Sequence, residues 1–462
     1  MMMMVRMMKV MLLVLVALVS CSIAASVNPP VFVSQYLPNN YAAGQNASKV
    51  LNLDYAYDSY AGYITVDSRY NSNMFFWYFP AQNGQADTAP ILLWLQGGPG
   101  SASMFGLFSE NGPFFVATEH FPNLVPNNYT WTQDYSIVYI DNPVGAGWSF
   151  TDADMGYVVN EDQVADDLYS AMTQFFQLFP NLADNDFYVT GESYAGKYVP
   201  SLAYKIYNMN QNSSNQYVNL AGISIGDGMM DPLTQTQGYA DLMYQLGLMD
   251  EQEVTQGHVY EQTIENQILK GEYTQAFFTF DEYLNADFYP YASFYFNATG
   301  LDSYFNFLTP TYHSNPYVEF LNLESTRNSI HVGNNSYHDY NSTVEEYLIP
   351  DWMKSIRYKL PPLLENYKVL IYNGQNDIIL GGPVCENFLR TLVWSGQNEF
   401  LSANKLIWKV ESTDQQVAGY VRQAQQFTQV IVRNAGHILP ADQPRAALDM
   451  ITRFINNQPF TN

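Results

Sequence analysis

Residues 191–196 read Gly191-Glu192-Ser193-Tyr194-Ala195-Gly196 and lie between two different segments. The apolar run Phe187-Tyr188-Val189-Thr190 precedes them and predicts a β-strand, whereas the sequence after them predicts a helix. A serine at a sharp turn from strand to helix is typical of a nucleophile elbow, where small neighbours at Gly191 and Ala195 avoid a steric clash. We therefore predict that Ser193 points into a cleft, although so short a pattern also occurs in ordinary loops.

Two further residues could activate this serine. Asp377 follows the apolar run 369–371, and His437 follows the run 430–432. A serine hydroxyl needs a base to take its proton, and a carboxylate can orient the imidazole that does so. Either residue taken alone would more often be structural. Together, however, the order serine, aspartate, histidine, each after a strand, is that of α/β-hydrolases and not of chymotrypsin or subtilisin.

A glycine-rich turn follows the predicted strand 91–95. It reads Gln96-Gly97-Gly98-Pro99-Gly100, and its bare backbone can approach a reacting carbonyl closely. We predict that the N–H groups of Gly98 and Tyr194 form an oxyanion hole. A simple tight turn would use the same glycines, and the two interpretations are compatible.

Seven segments resemble the serine carboxypeptidase family, and most closely its vitellogenic-like branch. They are WLQGGPG (94–100), GLFSENGP (106–113), DNPVGAGWSF (141–150), GESYAGKYVP (191–200), IGDGMMDP (225–232), YNGQNDII (372–379) and GHILPADQP (436–444). The resemblance runs from about residue 30 to the end of the chain. It implies a serine exopeptidase that removes C-terminal residues from peptides and proteins through an acyl-enzyme, with Ser193, Asp377 and His437 as its triad.

The resemblance also implies a site for the C-terminal carboxylate of the substrate, formed by Gln96, Glu192 and Glu110. Gln96 stands where the family more often has asparagine. Two glutamates beside a substrate carboxylate require that at least one is protonated. The alternative is that both glutamates face solvent. Candidates for the side-chain pocket, which flank the matched positions, are Phe105, Ser109 and Ile438.

The predicted fold is an α/β-hydrolase fold with a mixed, mostly parallel central sheet flanked by helices. Strands are predicted at 62–79 (antiparallel), 91–95, 137–140, 187–190, 221–225, 369–372 and 429–432. Asn160 should cap a helix that ends near Pro180. Strand signals are scarce between residues 233 and 345, so we predict a largely helical inserted lid there, with core segments at 26–232 and 346–462.

The N-terminus predicts entry into the secretory pathway. Arg6 and Lys9 precede an apolar run, residues 10–19, and then small residues, so residues 1–25 are predicted to be a cleavable signal peptide. An uncleaved anchor is the alternative, and no membrane span is expected after cleavage. Six sequons are candidate glycosylation sites: Asn46, Asn128, Asn212, Asn297, Asn334 and Asn341. A secreted protein or one of the lysosomal or phagosomal lumen is therefore expected.

Composition excludes several classes of partner. With 44 acidic and 19 basic residues the net charge is −25, which argues against nucleic acid and anionic membranes and suits an acidic compartment. No metal or organic cofactor is expected, and the HExxH zinc pattern is absent. Cys21 would leave with the signal peptide, so Cys385 would be the one thiol left, either a second nucleophile or an inert buried side chain.

Three functions fit the sequence. The first is the carboxypeptidase, acting at acidic pH. The second is an acyltransferase or esterase that uses the same triad. The third is a noncatalytic protective or binding protein on the same fold, which would usually lack a triad member.

Overall fold

The computed structural model describes residues 27–309 and 316–461. The predicted signal peptide, residues 1–25, and Cys21 within it lie outside these residues. Within the described ranges, the helices are all too short or too polar to cross a bilayer.

Twelve strands occur among the described residues, and they include every strand that the apolar runs predict. They are β1 (Tyr60–Asp67), β2 (Ser72–Phe79), β3 (Ile91–Leu95), β4 (Phe114–Val116), β5 (Leu124–Pro126), β6 (Ser136–Ile140), β7 (Phe187–Glu192), β8 (Leu220–Gly226), β9 (Lys368–Gly374), β10 (Leu406–Trp408), β11 (Gly419–Ala424) and β12 (Phe427–Val432).

Ten of these strands, within the described part of the chain, form one sheet in the order β1-β2-β6-β3-β7-β8-β9-β12-β11-β10. The six central strands from β6 to β12 are parallel, and the outer strands at both edges are antiparallel. Strands β4 and β5 form a separate antiparallel pair. The predicted mixed, mostly parallel sheet is therefore confirmed.

Helices cover the sheet and fill the connections. They are α1 (Tyr41–Ser48), α2 (Met104–Ser109), α3 (Glu161–Leu178), α4 (Ala195–Asn210), α5 (Pro232–Gln235), α6 (Tyr239–Gln245), α7 (Glu251–Leu269), α8 (Tyr273–Phe280), α9 (Phe294–Thr299), α10 (Pro316–Asn322), α11 (Glu324–Ser329), α12 (Ser342–Trp352), α13 (Leu360–Asn366), α14 (Gly382–Thr391), α15 (Gln397–Ser402), α16 (Leu439–Asp442) and α17 (Pro444–Ile455).

The predicted cap of α3 is present. The Asn160 side chain accepts a hydrogen bond from the backbone N–H of Gln163 at 3.0 Å, which satisfies one of the free donors of the first turn. Val164, Leu168 and Phe175 of this helix are buried in the core. The amphipathic pattern of the sequence therefore describes this helix correctly.

Burial on both faces explains why the central strands are continuously apolar. In β3, Leu93 and Leu95 join the core on one face of the sheet, and Leu92 and Trp94 join the core on the other. A parallel sheet covered on both sides needs apolar residues at every position, because alternate side chains point to opposite faces.

The connection between β8 and β9 is helical in its described residues, from α5 to α13, and contains no strand of the sheet there.

Cys385 lies in α14 and is fully buried. Burial raises the pKa of its thiol, which is typical of an unreactive cysteine.

The register of the parallel strands brings the predicted site residues to one edge. Leu95 pairs with Gly191, Glu192 with Gly226, and Val432 with Gly374 at the carboxyl ends of their strands. The loops after β3, β7, β8, β9 and β12 therefore meet at this edge, which is where open α/β sheets bind ligands.

Candidate active site

Ser193 lies at the turn between β7 and α4 and has a left-handed backbone, with φ of 63°. Its N–H donates to the carbonyl of Gly226 at 2.9 Å, and its carbonyl accepts from the N–H groups of Gly196 and Met229 at 2.9 and 3.1 Å. A non-glycine residue persists in this conformation only where its surroundings fix it. The turn at Ser193 therefore has the elbow geometry that the sequence predicts.

Two glycines make the elbow possible. A Cβ on Gly97 would lie 2.4 Å from the backbone nitrogen of Tyr194 and 2.7 Å from the Cβ of Ser193. A Cβ on Gly191 would lie 2.5 Å from the carbonyl oxygen of Leu95 and 2.9 Å from the Cβ of Ala195. Only glycine fits at both positions, because real Cβ atoms do not approach so closely.

His437 and Asp377 form a buried pair. Nδ1 of His437 lies 2.8 Å from Oδ2 of Asp377, whose Oδ1 accepts from the backbone N–H of Leu380 at 3.2 Å. Burial would lower the pKa of His437, but the charge of Asp377 and its hydrogen bond outweigh this effect and raise the pKa. With Nδ1 donating to Asp377, Nε2 is left free to accept a proton.

Nε2 of His437 is buried and has no hydrogen-bond partner within the described residues. It shares a cavity of about 350 Å³ with Ser193. Hydrogen bonds of a catalytic pair are often long without substrate and shorten when it binds. The structure therefore brings Ser193 and His437 to one cavity, and Asp377, which does not line it, is hydrogen-bonded to His437.

A segment of the connection between β8 and β9 is hydrogen-bonded to the loops of Asp377 and His437. The carbonyl of Tyr304 accepts from the N–H of Ile378 at 3.0 Å, and the carbonyl of Phe305 accepts from the N–H of His437 at 2.6 Å. The Phe305 ring also stacks on the imidazole, with centroids 4.8 Å apart and planes 8° apart. This connection therefore contacts both the backbone and the imidazole of His437.

The cavity contains most of the predicted contact residues. Gln96, Gly98, Phe105, Tyr194 and Ile438 line it together with Ser193 and His437. Ser109 ends α2 and is not among the lining residues, so its role in the pocket stays a prediction. Asp287 and Glu345, both from the connection between β8 and β9, also line the cavity.

Gln96 is held in one orientation next to the elbow. The indole N–H of Trp94 donates to Oε1 of Gln96 at 3.0 Å, and Nε2 of Gln96 donates to Oε1 of Glu192 at 2.8 Å. Because the indole can only donate, it directs the amide nitrogen toward Glu192. The Gln96 side chain also lines the cavity.

Glu192 and Glu110 lie behind Gln96, with 0% and 4% of their surfaces exposed. Burial, and then the charge of Glu192, raise the pKa of Glu110 well above its usual range. Burial also raises the pKa of Glu192. The pair therefore keeps a proton well above the pH at which an exposed glutamate ionises, and the alternative of two solvent-facing glutamates does not fit this burial.

Asp227, Asp377 and His437 offer ligand atoms within 4.8 Å of one another, which is the spacing of a possible metal site. Asp377 and His437 are already joined by a hydrogen bond. A cation there would have to replace that bond, so the donor set serves proton transfer better than metal binding.

Several functional residues were missed from the sequence. Trp94 could have been found, because residues two apart on a strand share a face and Gln96 follows it by two. Asp227 lies in the segment IGDGMMDP, which carries part of the resemblance, but nothing in that pattern assigns it a role. Phe305, Asp287 and Glu345 come from the insertion, whose long-range packing leaves no local pattern in the sequence.

Comparison with known proteins agrees with this geometry. A family described as "Serine carboxypeptidase" matches residues 51–457. "Probable serine carboxypeptidase CPVL" of Homo sapiens is 49% identical over 399 residues, covering 86% of this chain and 83% of that protein. "Vitellogenic carboxypeptidase" of Aedes aegypti is 40% identical, covering 86% and 83%. These matches confirm the predicted resemblance to the vitellogenic-like branch.

Among solved structures, Kex1(delta)p, a prohormone-processing carboxypeptidase from Saccharomyces cerevisiae, is similar to this chain with a TM-score of 0.74 and 24% identity. The match covers 89% of this chain and 96% of that one. At this identity the likeness shows the fold alone, and it confirms the predicted α/β-hydrolase fold.

Replacing the predicted nucleophile tests the triad. We expect Ser193→Ala to lower kcat by about 10⁶-fold and Asp377→Asn by about 10⁴-fold, because the first removes the attacking oxygen and the second the group that orients His437. The measurement is kcat on purified proteins with matched circular dichroism. Ser224→Ala, a buried serine on β8, is the control and should retain activity. Unchanged turnover in Ser193→Ala would disprove the assignment.

Proposed function

We propose that this chain, which belongs to the serine carboxypeptidase family, releases C-terminal amino acids from peptides and proteins through an acyl-enzyme, at mildly acidic pH. The proposal is supported by the position of the proposed triad, the glycine-rich turn and the buried amide and glutamates, which all lie at one edge of the sheet. The observation that carries the exopeptidase specificity is the hydrogen bond from Gln96 to Glu192 directly beside Ser193, at 2.8 Å.

Binding begins with the free carboxylate of the substrate. The N–H of Gln96 and the proton held by the Glu192 and Glu110 pair donate to it, and this fixes the last peptide bond over Ser193. Such anchoring converts remote binding energy into orientation at the reacting carbonyl. A peptide without a free C-terminus would lose this orientation.

Chemistry then follows in two steps. Nε2 of His437 takes the proton of Ser193 as its oxygen attacks the carbonyl carbon, and the N–H groups of Gly98 and Tyr194 stabilise the oxyanion. His437 gives the proton to the leaving nitrogen, so the terminal amino acid departs and the acyl group stays on Ser193. Water repeats the sequence, with His437 as base, and releases the shortened peptide. No metal or organic cofactor takes part.

The esterase or acyltransferase alternative uses the same triad but does not need the carboxylate site. Hydrolysis of an N-blocked dipeptide should therefore be compared with hydrolysis of its amide and its simple ester. The proposal requires that kcat/KM for the free acid exceeds that for the amide by at least about 100-fold. A buried site that hydrogen-bonds the carboxylate would be left with unpaired polar groups when the substrate lacks it. Equal rates would favour the alternative. A noncatalytic role would give no hydrolysis at all.

The predicted insertion, residues 233–345, is proposed to act as a lid that limits substrate access. Its carbonyl groups at Tyr304 and Phe305 bond the two triad loops, and Asp287 contributes to the cavity wall. Substrates must therefore enter past a helical cover, which favours flexible peptide ends over folded chains.

Entry into the secretory pathway is also proposed, with residues 1–25 as the signal peptide and the secreted space or the lysosomal or phagosomal lumen as the destination. The acidic net charge of −25 suits such a lumen, because protonation of carboxylates there relieves their repulsion. Glycosylation at the exposed sequons would accompany this route.

Burial separates the six sequons. Asn46, Asn128, Asn212, Asn297 and Asn334 are exposed, whereas Asn341 is half-buried and its Nδ2 donates to the carbonyl of Gly145 at 2.8 Å. We expect glycans at exposed sites and none at Asn341, because the sugar bonds to that nitrogen. Glycopeptide mapping of protein made in a secretory host checks this. A glycan on Asn341, or none anywhere, would contradict it.

The pH dependence of KM tests the carboxylate site. Because the pKa of Glu110 is raised, the pair holds its proton in acid and loses it as pH rises, when three carboxylates would face one another. KM for a free-acid peptide should therefore rise toward neutral pH, by up to about tenfold per pH unit above the pKa of the pair. In contrast, kcat should fall in acid as His437 becomes protonated, so the optimum of kcat/KM lies between the two ionisations.

Two controls accompany this measurement. KM for the amide should change much less with pH, since it lacks the carboxylate. Glu110→Gln should flatten the profile of the free acid, whereas Glu261→Gln, a buried glutamate of α7, should leave the profile unchanged. The same KM profile for acid and amide would show that the carboxylate site is wrong even if the triad is right.

A further inference from the structure

Asp227 is a buried carboxyl beside the triad to which the reaction above gives no role. It directly follows β8 and is fully buried. One of its carboxyl oxygens lies within 4.8 Å both of an Asp377 oxygen and of a ring nitrogen of His437. Its side chain is therefore close enough to act on the acid of the triad.

The contacts of Asp227 join the nucleophile elbow to the loop of Asp377. Its N–H donates to the carbonyl of Tyr372, and its Oδ1 accepts from the N–H of Gly374, both at 2.8 Å. The residue before it, Gly226, accepts the N–H of Ser193. Asp227 also has a left-handed backbone, with φ of 42°, which costs free energy in a non-glycine residue.

Its other oxygen, Oδ2, is buried and has no hydrogen-bond partner in the described residues. Burying a polar atom without a hydrogen-bond partner costs free energy, and burying an ionised one costs more. Asp377 has both oxygens in use as acceptors, from His437 and from Leu380, and each oxygen retains a further lone pair. A proton on Oδ2 of Asp227 would give both carboxyls a partner.

The charges around Asp227 favour that proton. Burial raises the pKa of Asp227 well above its usual range, and the charges of Asp377 and Glu192 raise it further. Tyr372 and Cys385 are the other titratable groups that feel its charge, and neither can become a cation. Only His437 can, and it does so transiently in catalysis. One carboxylate and one carboxylic acid is therefore the stable state of the pair.

We propose that Asp227 is a positioning residue of the triad, a neutral carboxylic acid whose Oδ2–H donates a hydrogen bond to Asp377 while its Oδ1 holds the N–H of Gly374. The hydrogen bond to Asp377 fixes the carboxylate that orients His437. The two hydrogen bonds of Asp227 also join the loop of Asp377 to the nucleophile elbow. This inference rests on the proposed function, because it assigns the role through Asp377. It predicts an effect on kcat and not on KM, since Asp227 lies outside the carboxylate site.

Two substitutions separate hydrogen bonding from packing. Asp227→Asn keeps an acceptor for Gly374 and a donor for Asp377, whereas Asp227→Leu has a similar size and provides neither. We expect Leu to lower kcat by about 10- to 100-fold with KM changed less than about twofold, and Asn to recover kcat to within about threefold of the parent. The assay uses the full enzyme and a free-acid dipeptide, after matched circular dichroism.

Infrared difference spectroscopy gives an independent reading of the protonation state. Subtracting the spectrum of Asp227→Asn from that of the parent enzyme at neutral pH should reveal one protonated-carboxyl band. Absence of this band would mean that Asp227 is ionised and would overturn the proposal. Equal losses of kcat in Asn and Leu, an unchanged kcat in Leu, or a change in KM alone would overturn it as well.

A variant of Asp227 that fails to fold also bears on the proposal. If Asp227→Asn does not fold, the proposal is wrong, because asparagine supplies both hydrogen bonds. If Asp227→Leu does not fold, Asp227→Ala replaces it and should show the same loss of kcat. Ser193→Ala in the same assay separates the two ideas: activity retained there defeats the proposed function, whereas an inactive Ser193→Ala with a normal Asp227→Leu defeats only the role of Asp227.

Discussion

The left-handed backbone at Ser193, with φ of 63°, is the constraint on which the rest of the site depends. An alanine-like residue in this conformation costs about 1–2 kcal/mol relative to the right-handed form. The cost is offset by hydrogen bonds to Gly226, Gly196 and Met229 and by the absence of a Cβ at Gly97 and Gly191. The same elbow places the side chain of Glu192 where it accepts a hydrogen bond from Gln96. A single backbone turn thus positions the proposed nucleophile, one proposed oxyanion donor and part of the proposed carboxylate site.

Around this elbow, buried carboxyl groups lie in pairs. Glu110 and Glu192 form one pair, and in our proposal Asp227 and Asp377 form the other. Because the pKa values of Glu110, Glu192 and Asp227 are raised by folding, the folded state binds more protons than the unfolded chain. Their contribution to the free energy of unfolding is complete below the ordinary carboxyl pKa and is lost as pH rises through the raised values. Together with the net charge of −25, this predicts that the fold is more stable at mildly acidic pH than at neutral pH.

Local sequence patterns predicted the parts that local physics determines. The apolar runs specify the central strands because both faces of the sheet are buried, and Asn160 specifies the start of α3. The resemblance supplied Gln96, Glu192 and Glu110, which no periodicity could have given. The outer strands β10 and β11 were not predicted, because β10 has only three residues and polar residues interrupt the apolar pattern of β11. The contacts of Tyr304 and Phe305 with the triad loops were also missed, since they depend on how the insertion folds back over the sheet.

Labelling by a fluorophosphonate tests the central claim most directly, that Ser193 is an activated nucleophile next to a site for a free carboxylate. The labelled peptide is located by mass spectrometry, and the labelling rate is measured with a non-hydrolysable dipeptide analogue present as its free acid or as its amide. The account predicts a label on Ser193 alone, slowed at mildly acidic pH by the free acid and little by the amide. A label on another residue, no label on the folded protein, or equal protection by acid and amide would contradict it.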